Sequence, residues 1–267
     1  MNTSDVFHHL LTHNNLKMTD QTPQPKSFPP LINTEKQHSM VFNDGIGVLE
    51  NYGSKEWCQI LIDAFEMYSE QKIRKNILDG TFSQDVNCTG ESQFKQGQLG
   101  RRDEGLYLEV ADSTLAAHTN AIIGSAFELY AMEYQGITDS SDPVSSWTCK
   151  LQKTQSGGGY HIWHCEDGAF MYRDRVLTWM MYLNDIPKEN GGATDFLHQQ
   201  CSFQPSVGTM VMWPATYTHM HRGSFLTGDI SKYIATGWFI REPGDITNRI
   251  IGQGLGNMSS VQKINTR

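Results

Sequence analysis

The stretch Gly157-Gly158-Gly159-Tyr160-His161-Ile162-Trp163-His164-Cys165-Glu166-Asp167-Gly168 decides how this chain is read. A glycine run gives way there to a dense group of chelating side chains. In extended backbone, residues two apart project to the same face. His164 and Glu166 therefore point together, offering one imidazole nitrogen and one carboxylate. A second cluster, Trp213-Pro214-Ala215-Thr216-Tyr217-Thr218-His219-Met220-His221-Arg222-Gly223, holds two more histidines. One of them is a candidate to close a set of two His and one carboxylate, which would leave positions open on an octahedral iron. An H-x-E triplet alone is more often surface or hydrogen-bonded core. Its weight here comes from order: H-x-E, a strand, Gly191-Gly192, a strand, a proline, a histidine, then Lys232.

Outward from that cluster, short apolar runs alternate with glycine. They are Trp147 to Gln152, Val176 to Leu183, Ala193 to Phe196, Gly208 to Trp213 and Tyr233 to Ile240. Strands so short and so spaced indicate an antiparallel barrel or sandwich. Upstream the texture is helical. Ser54 is a candidate N-cap, and Trp57, Ile60, Leu61, Ala64 and Phe65 follow at helical spacing. A second helix is expected over Ser113 to Tyr134, and a loop over residues 80–100. Met40 to Phe42 and Gly45 to Leu49 read as short strands. Residues 1–39 are polar and proline-bearing, as in a flexible tail. The expected division is thus a tail (1–39), a helical support region (40–145), a β core (146–242) and a C-terminal extension (243–267), with 40–267 as one folded unit.

The chain has 267 residues, enough to bury a sizeable core. Lys plus Arg is 21 and Asp plus Glu is 29, a net charge of −8. With no basic stripe, a nucleic-acid partner is not expected. No apolar run reaches the roughly 20 residues of a membrane span, and residues 6–11 lack the basic flank of a signal peptide. The five cysteines form no CxxC pair, which fits a reducing, cytoplasmic setting.

With these residues in place, the chain resembles the iron(II) and 2-oxoglutarate-dependent dioxygenases, in their prolyl-4-hydroxylase-like branch. The resemblance rests on Tyr160 to Glu166, Arg175 to Asn184, Gly191 to Thr194, His221 to Gly223 and Lys232 to Phe239. Val48 to Tyr52, leading into the Trp57-Cys58 helix, also fits. It implies a mainly β fold, a double-stranded β-helix or jelly roll with supporting helices. It implies iron held by His164, Glu166 and His221. The family more often has Asp at the carboxylate position, so Asp167 stays as the alternative to Glu166. His219 stays as the alternative to His221, which is favoured because Lys232 follows it at the family's spacing. Otherwise His219 belongs to the substrate pocket, as do Trp163 and Arg175.

The resemblance further implies that Lys232 binds the distal carboxylate of 2-oxoglutarate, with Tyr182 and either Thr236 or Thr178 adding hydrogen bonds. Decarboxylation of that cosubstrate, with O2 and ascorbate as further small molecules, accompanies C–H hydroxylation. A prolyl residue of a peptide or protein is the first substrate; a free amino acid or other small molecule is the alternative. A cupin-like metal protein without 2-oxoglutarate and a non-catalytic binding module are the competing readings. By its own residue type, Lys232 is ordinarily a solvated strand-edge lysine. Trp163, Trp179, Trp213 and Trp238 are ordinarily core, and Arg101 and Arg102 ordinarily surface. Cys165, between the two ligands, faces away from iron.

Overall fold

One sheet with two buried faces organises the molecule. The structure is a computed structural model that describes residues 28–35, 37–79, 101–139, 142–168 and 172–241. Twelve strands are described: β1 (Val41–Asn43), β2 (Ile46–Leu49), β3 (Arg101–Arg102), β4 (Glu104–Tyr107), β5 (Val144–Thr154), β6 (Gly159–Tyr160), β7 (Arg175–Tyr182), β8 (Thr194–Phe196), β9 (Cys201–Phe203), β10 (Met210–Pro214), β11 (His221–Gly223) and β12 (Lys232–Arg241). Three α-helices accompany them: α1 (Lys55–Asp79), α2 (Leu108–Ala111) and α3 (Ser113–Glu133). A seven-stranded sheet runs β1-β2-β10-β7-β12-β5-β4, and a three-stranded sheet runs β11-β8-β9. Strands β3 and β6 form a separate pair. All these pairings are antiparallel.

Period-two alternation sorts the side chains of the large sheet. Leu177, Trp179 and Met181 of β7, Met210 and Met212 of β10, Ala235 and Phe239 of β12, and Cys149 and Leu151 of β5 share one core with the helices. Trp57, Leu61 and Phe65 of α1 and Leu115, Ile122, Ile123 and Ala126 of α3 supply the other side of that layer. The opposite face meets the small sheet. There Met180, Tyr182, Val211 and Trp213 pack with Ile46 and Phe196. The result is the expected jelly roll, with helices on one side.

The helix starts follow from their capping residues. Ser54 Oγ accepts from the Trp57 backbone N–H at 3.0 Å, opening α1. Asp112 accepts from Thr114 and Leu115, opening α3. No described helix is long and apolar enough to cross a membrane.

Two expectations need correction. The expected tail is too long, because residues 28–35 are packed. Phe28 lies edge-on to Trp57 at 5.7 Å, and Leu31 and Ile32 pack against the helical-side core. Asn33 N donates to Tyr52 O, and Ser54 N donates to Leu31 O. Polar composition hid three well-placed apolar residues. The helical support region is also less distinct than expected, because β1, β2 and β4 join the large sheet from within residues 40–145. The expected loop over 80–100, the C-terminal extension and residues 1–27 lie outside the described residues.

Candidate metal centre and cosubstrate pocket

The backbone first brings two distant histidines together. His164 N donates to His221 O at 3.0 Å, and His221 N donates to His164 O at 2.9 Å. This isolated antiparallel bridge ties the segment after β6 to the first residue of β11. Glu166 N then donates to Ala215 O at 2.9 Å, which fixes the carboxylate two residues further on.

The same backbone sets both tautomers. His164 Nδ1 donates to Ile162 O at 2.8 Å, and His221 Nδ1 donates to His219 O at 3.0 Å. Each carbonyl lies two residues before its histidine. With Nδ1 protonated, each Nε2 is left with its lone pair. The two Nε2 atoms lie 3.5 Å and 3.4 Å from Glu166 Oε1. His164, Glu166 and His221 present one donor each, all within 4.8 Å of one another. Two imidazole nitrogens and one carboxylate oxygen suit a divalent first-row metal, and this set matches the two-His, one-carboxylate arrangement of non-haem iron.

Burial alone would raise the Glu166 carboxyl. While each Nε2 is protonated as well, hydrogen bonds and charge from His164 and His221 instead hold it well below the usual carboxylate range, and a metal would take the place of those protons. The second oxygen has its own partners. Glu166 Oε2 accepts from Arg175 Nη1 at 3.0 Å and from Trp238 Nε1 at 3.0 Å. Asp167, the alternative carboxylate, does not share this donor set.

The triad opens into a cavity of ≈ 370 Å³ between the two sheets. The inner faces of β5 and β12 line it with Lys150, Gln152, Thr154, Lys232, Ile234, Thr236 and Trp238; Thr178 and Met180 of β7 and Thr194 of β8 add to it. Lys232 is 6% exposed and donates to Gly192 O at 2.8 Å. Burial pushes its ammonium down to about 8, against the opposing pull of Asp103 and Asp195. A buried ammonium has three donors and strongly favours an anion nearby. The Thr178 hydroxyl is buried and without a hydrogen-bond partner among the described residues. Such a polar floor fits a small dicarboxylate.

Gly191 explains the acceptor loop beside Lys232. It has φ +70°, and a Cβ there would lie 2.2 Å from Phe225 O. Only glycine combines that conformation with that approach.

The remaining expected site residues divide. Thr236 lines the cavity while its hydroxyl donates to Trp179 O at 2.8 Å. Tyr182 is fully buried and is not among the residues lining the cavity. Its hydroxyl donates to Thr194 Oγ1 at 2.8 Å, so it stands one hydrogen bond behind the wall. His219 is a correction: it lies outside the cavity. Its Nε2 donates to Asp44 O at 2.8 Å, and Nδ1 accepts from the Thr218 hydroxyl at 2.9 Å. Both nitrogens are thus engaged, Nε2 in holding the β1–β2 turn and Nδ1 by the adjacent threonine. Trp163 stands behind the wall, on Arg222, which lines it. It is not among the lining residues either, and the Arg222 guanidinium lies 4.4 Å from its ring centroid. Arg175 does line the cavity. Sequence reasoning missed the hydrogen bond from Trp238 and the wall position of Trp213, whose ring lies edge-on to His221 at 5.0 Å. An indole next to a polar partner has no distinguishing mark in the sequence.

Comparison with known proteins adds two findings. Residues 149–240 match the family model of the 2OG-Fe(II) oxygenase superfamily. A search of curated protein sequences finds no match. The fold is shared with solved prolyl hydroxylases at low identity. One, from Trichoplax adhaerens, was solved with a hypoxia inducible factor oxygen degradation domain peptide fragment. It is 15% identical with a TM-score of 0.53, covering 74% of this chain and 84% of its own. A truncated viral collagen prolyl hydroxylase from Paramecium Bursaria Chlorella virus-1 is 16% identical with a TM-score of 0.51, covering 81% and 100%. A Pseudomonas putida prolyl-4-hydroxylase is 15% identical with a TM-score of 0.50, covering 74% and 94%.

Proposed function

We propose, from the match of residues 149–240 to the 2OG-Fe(II) oxygenase superfamily model, that this chain is an iron(II)- and 2-oxoglutarate-dependent dioxygenase that hydroxylates a prolyl residue of a peptide or protein. The observation that carries the proposal is the convergence of His164, Glu166 and His221 on the wall of the cavity that also holds buried Lys232. When bound, iron and 2-oxoglutarate supply the oxidising chemistry, in which O2 is divided between succinate and the new substrate hydroxyl.

The protein's own groups then have separable tasks. His164 and His221 present Nε2 because their Nδ1 protons are committed to backbone carbonyls. Glu166 presents Oε1. Lys232 neutralises the distal carboxylate of the cosubstrate, and Thr178 supplies a hydroxyl otherwise left unpartnered. Thr236 shapes the same wall. Tyr182 acts through the Thr194 hydroxyl, orienting it rather than touching the cosubstrate. Ascorbate, as a reductant for iron that has oxidised, belongs to the same proposal. So does the peptide substrate; the Trichoplax adhaerens prolyl hydroxylase was solved with a peptide fragment bound.

The test is anaerobic titration of the apo-protein with iron(II) and then 2-oxoglutarate, following the visible charge-transfer band. The band should form in wild type and in His219→Ala, and be lost in His164→Ala and His221→Ala. Proline-containing peptides and free proline are then compared for 2-oxoglutarate-dependent gain of one oxygen by mass spectrometry. No band in wild type removes the oxygenase reading. A band with oxygen gain only on free proline removes the peptide substrate.

A further inference from the structure

Strict alternation would aim Arg175 at the helices. Its strand neighbours Leu177, Trp179 and Met181 all face that way. The β7–β12 register shifts between Phe239 and Ile240, so Leu177 opposes Phe239 while Arg175 opposes Ile240. The extra residue, Val176, turns Arg175 to the cavity side. A second shift lies on the other flank of the same strand. Gly237 opposes Cys149 and Trp238 opposes Trp147, leaving Thr148 as the extra residue. Thr148 has φ +59°, an outlier for a β-branched residue. Gly237 makes that shape possible, because a Cβ there would lie 2.0 Å from Thr148 O. Bulges beside active sites re-aim side chains, and strain of this kind persists where the surroundings enforce it.

The β7 bulge thus brings Arg175 beside Trp238, which the plain alternation of β12 already puts on the cavity wall, and the two make a pair of donors. Arg175 is 8% exposed, and its guanidinium is sandwiched between the rings of Trp238, at 3.5 Å, and Tyr172, at 4.0 Å. It donates to both Oε2 and the backbone carbonyl of Glu166. Trp238 Nε1 donates to the same Oε2. One oxygen of Glu166 is thereby occupied by two N–H groups, and the other faces both histidines.

We propose that Arg175 and Trp238 are positioning residues that hold Glu166 to one-oxygen metal ligation, keeping the longer carboxylate from chelating the metal and closing a position needed by the cosubstrate or O2. The proposal rests on the metal-centre reading above. It also explains how a glutamate serves where the extra methylene would otherwise leave the carboxylate loose. Groups that orient metal ligands in this way commonly change metal affinity or activity by about 10–100-fold when lost.

The test uses Mn(II) alone, with affinity read from the free-ion EPR signal and bound water from proton relaxation. Trp238→Phe keeps an aromatic ring over Arg175 and removes the N–H. Arg175→Lys keeps charge and loses the planar fork. Each should weaken Mn(II) binding about tenfold or more and lower the relaxation enhancement as bound water is displaced. Glu166→Asp is too short to serve both the histidines and the clamp, so Trp238→Phe should cost little in that background. Unchanged affinity and relaxation in both single variants would overturn the proposal. So would a Trp238→Phe effect that is equally large with Asp at 166, since that is the signature of general packing. If wild type fails to bind Mn(II), or if His164→Ala and His221→Ala bind it as wild type does, the metal-centre reading itself falls.

Discussion

Lys232 carries opposite consequences for the empty and the filled cavity. Its ammonium is pushed from 10.5 down to about 8 by burial. In the empty protein the folded state therefore releases its proton more readily than the unfolded chain. The unfolded state binds more protons between those values, so this lysine's contribution makes stability rise with pH from about 8 to 10.5. The difference between wild-type and Lys232→Met melting curves across that window measures it. In the proposed role of Lys232, cosubstrate binding has the reverse sign, because the dicarboxylate needs the charged form. Affinity for 2-oxoglutarate should be level below about 8 and fall about tenfold per pH unit above it. Lys232→Ala should remove that dependence and cost about 2–5 kcal/mol of binding, the range for truncating a buried charged partner. Equilibrium titration at fixed iron checks both.

At the scale of elements, the two bulges flanking β12 are what a sequence reading could not supply. His164 and Glu166 are legible because their spacing obeys the strand period, and the backbone there stays extended enough to honour it. Arg175 was legible as a pocket residue only by resemblance; its own period points it at the helices. Trp238 read as core because an indole in an apolar strand ordinarily is. The carboxylate oxygen it binds is shared with Arg175, which faces the cavity because Val176 is an extra residue on one flank of β12 while Thr148 is extra on the other, and that is a property of three strands at once. Gly237→Ala tests this directly. The added Cβ would meet Thr148 O, destabilising the fold by about 1–3 kcal/mol and weakening metal binding beyond any change in stability. Chemical denaturation alongside metal titration separates the two effects.

For the molecule as a whole, the large sheet is a partition. Its helix-facing side is apolar, while its inner side changes from apolar near Ile46 and Phe196 to polar near Lys232 and Lys150. That gradient was legible in outline from alternating strands, but the sequence put the folded boundary too late. Phe28 is the residue that moves it, by reaching Trp57 and lying tilted against the His118 ring at 4.5 Å between centroids. Phe28→Ala should lower stability by about 1–3 kcal/mol and lower Tm, while leaving 2-oxoglutarate affinity unchanged at a temperature where both proteins are folded. The site lies across the sheet from that contact.

The reciprocal bridge between His164 and His221 has a meaning for engineering. Residues 162–166 and 219–223 together contain the three proposed metal donors, the two carbonyls that set the imidazole tautomers, and the backbone pair that fixes their spacing. They amount to a two-segment cassette, transferable to any pair of neighbouring antiparallel segments with room for it. A host lacking two appropriately placed N–H donors should accept that cassette more readily with aspartate in place of Glu166.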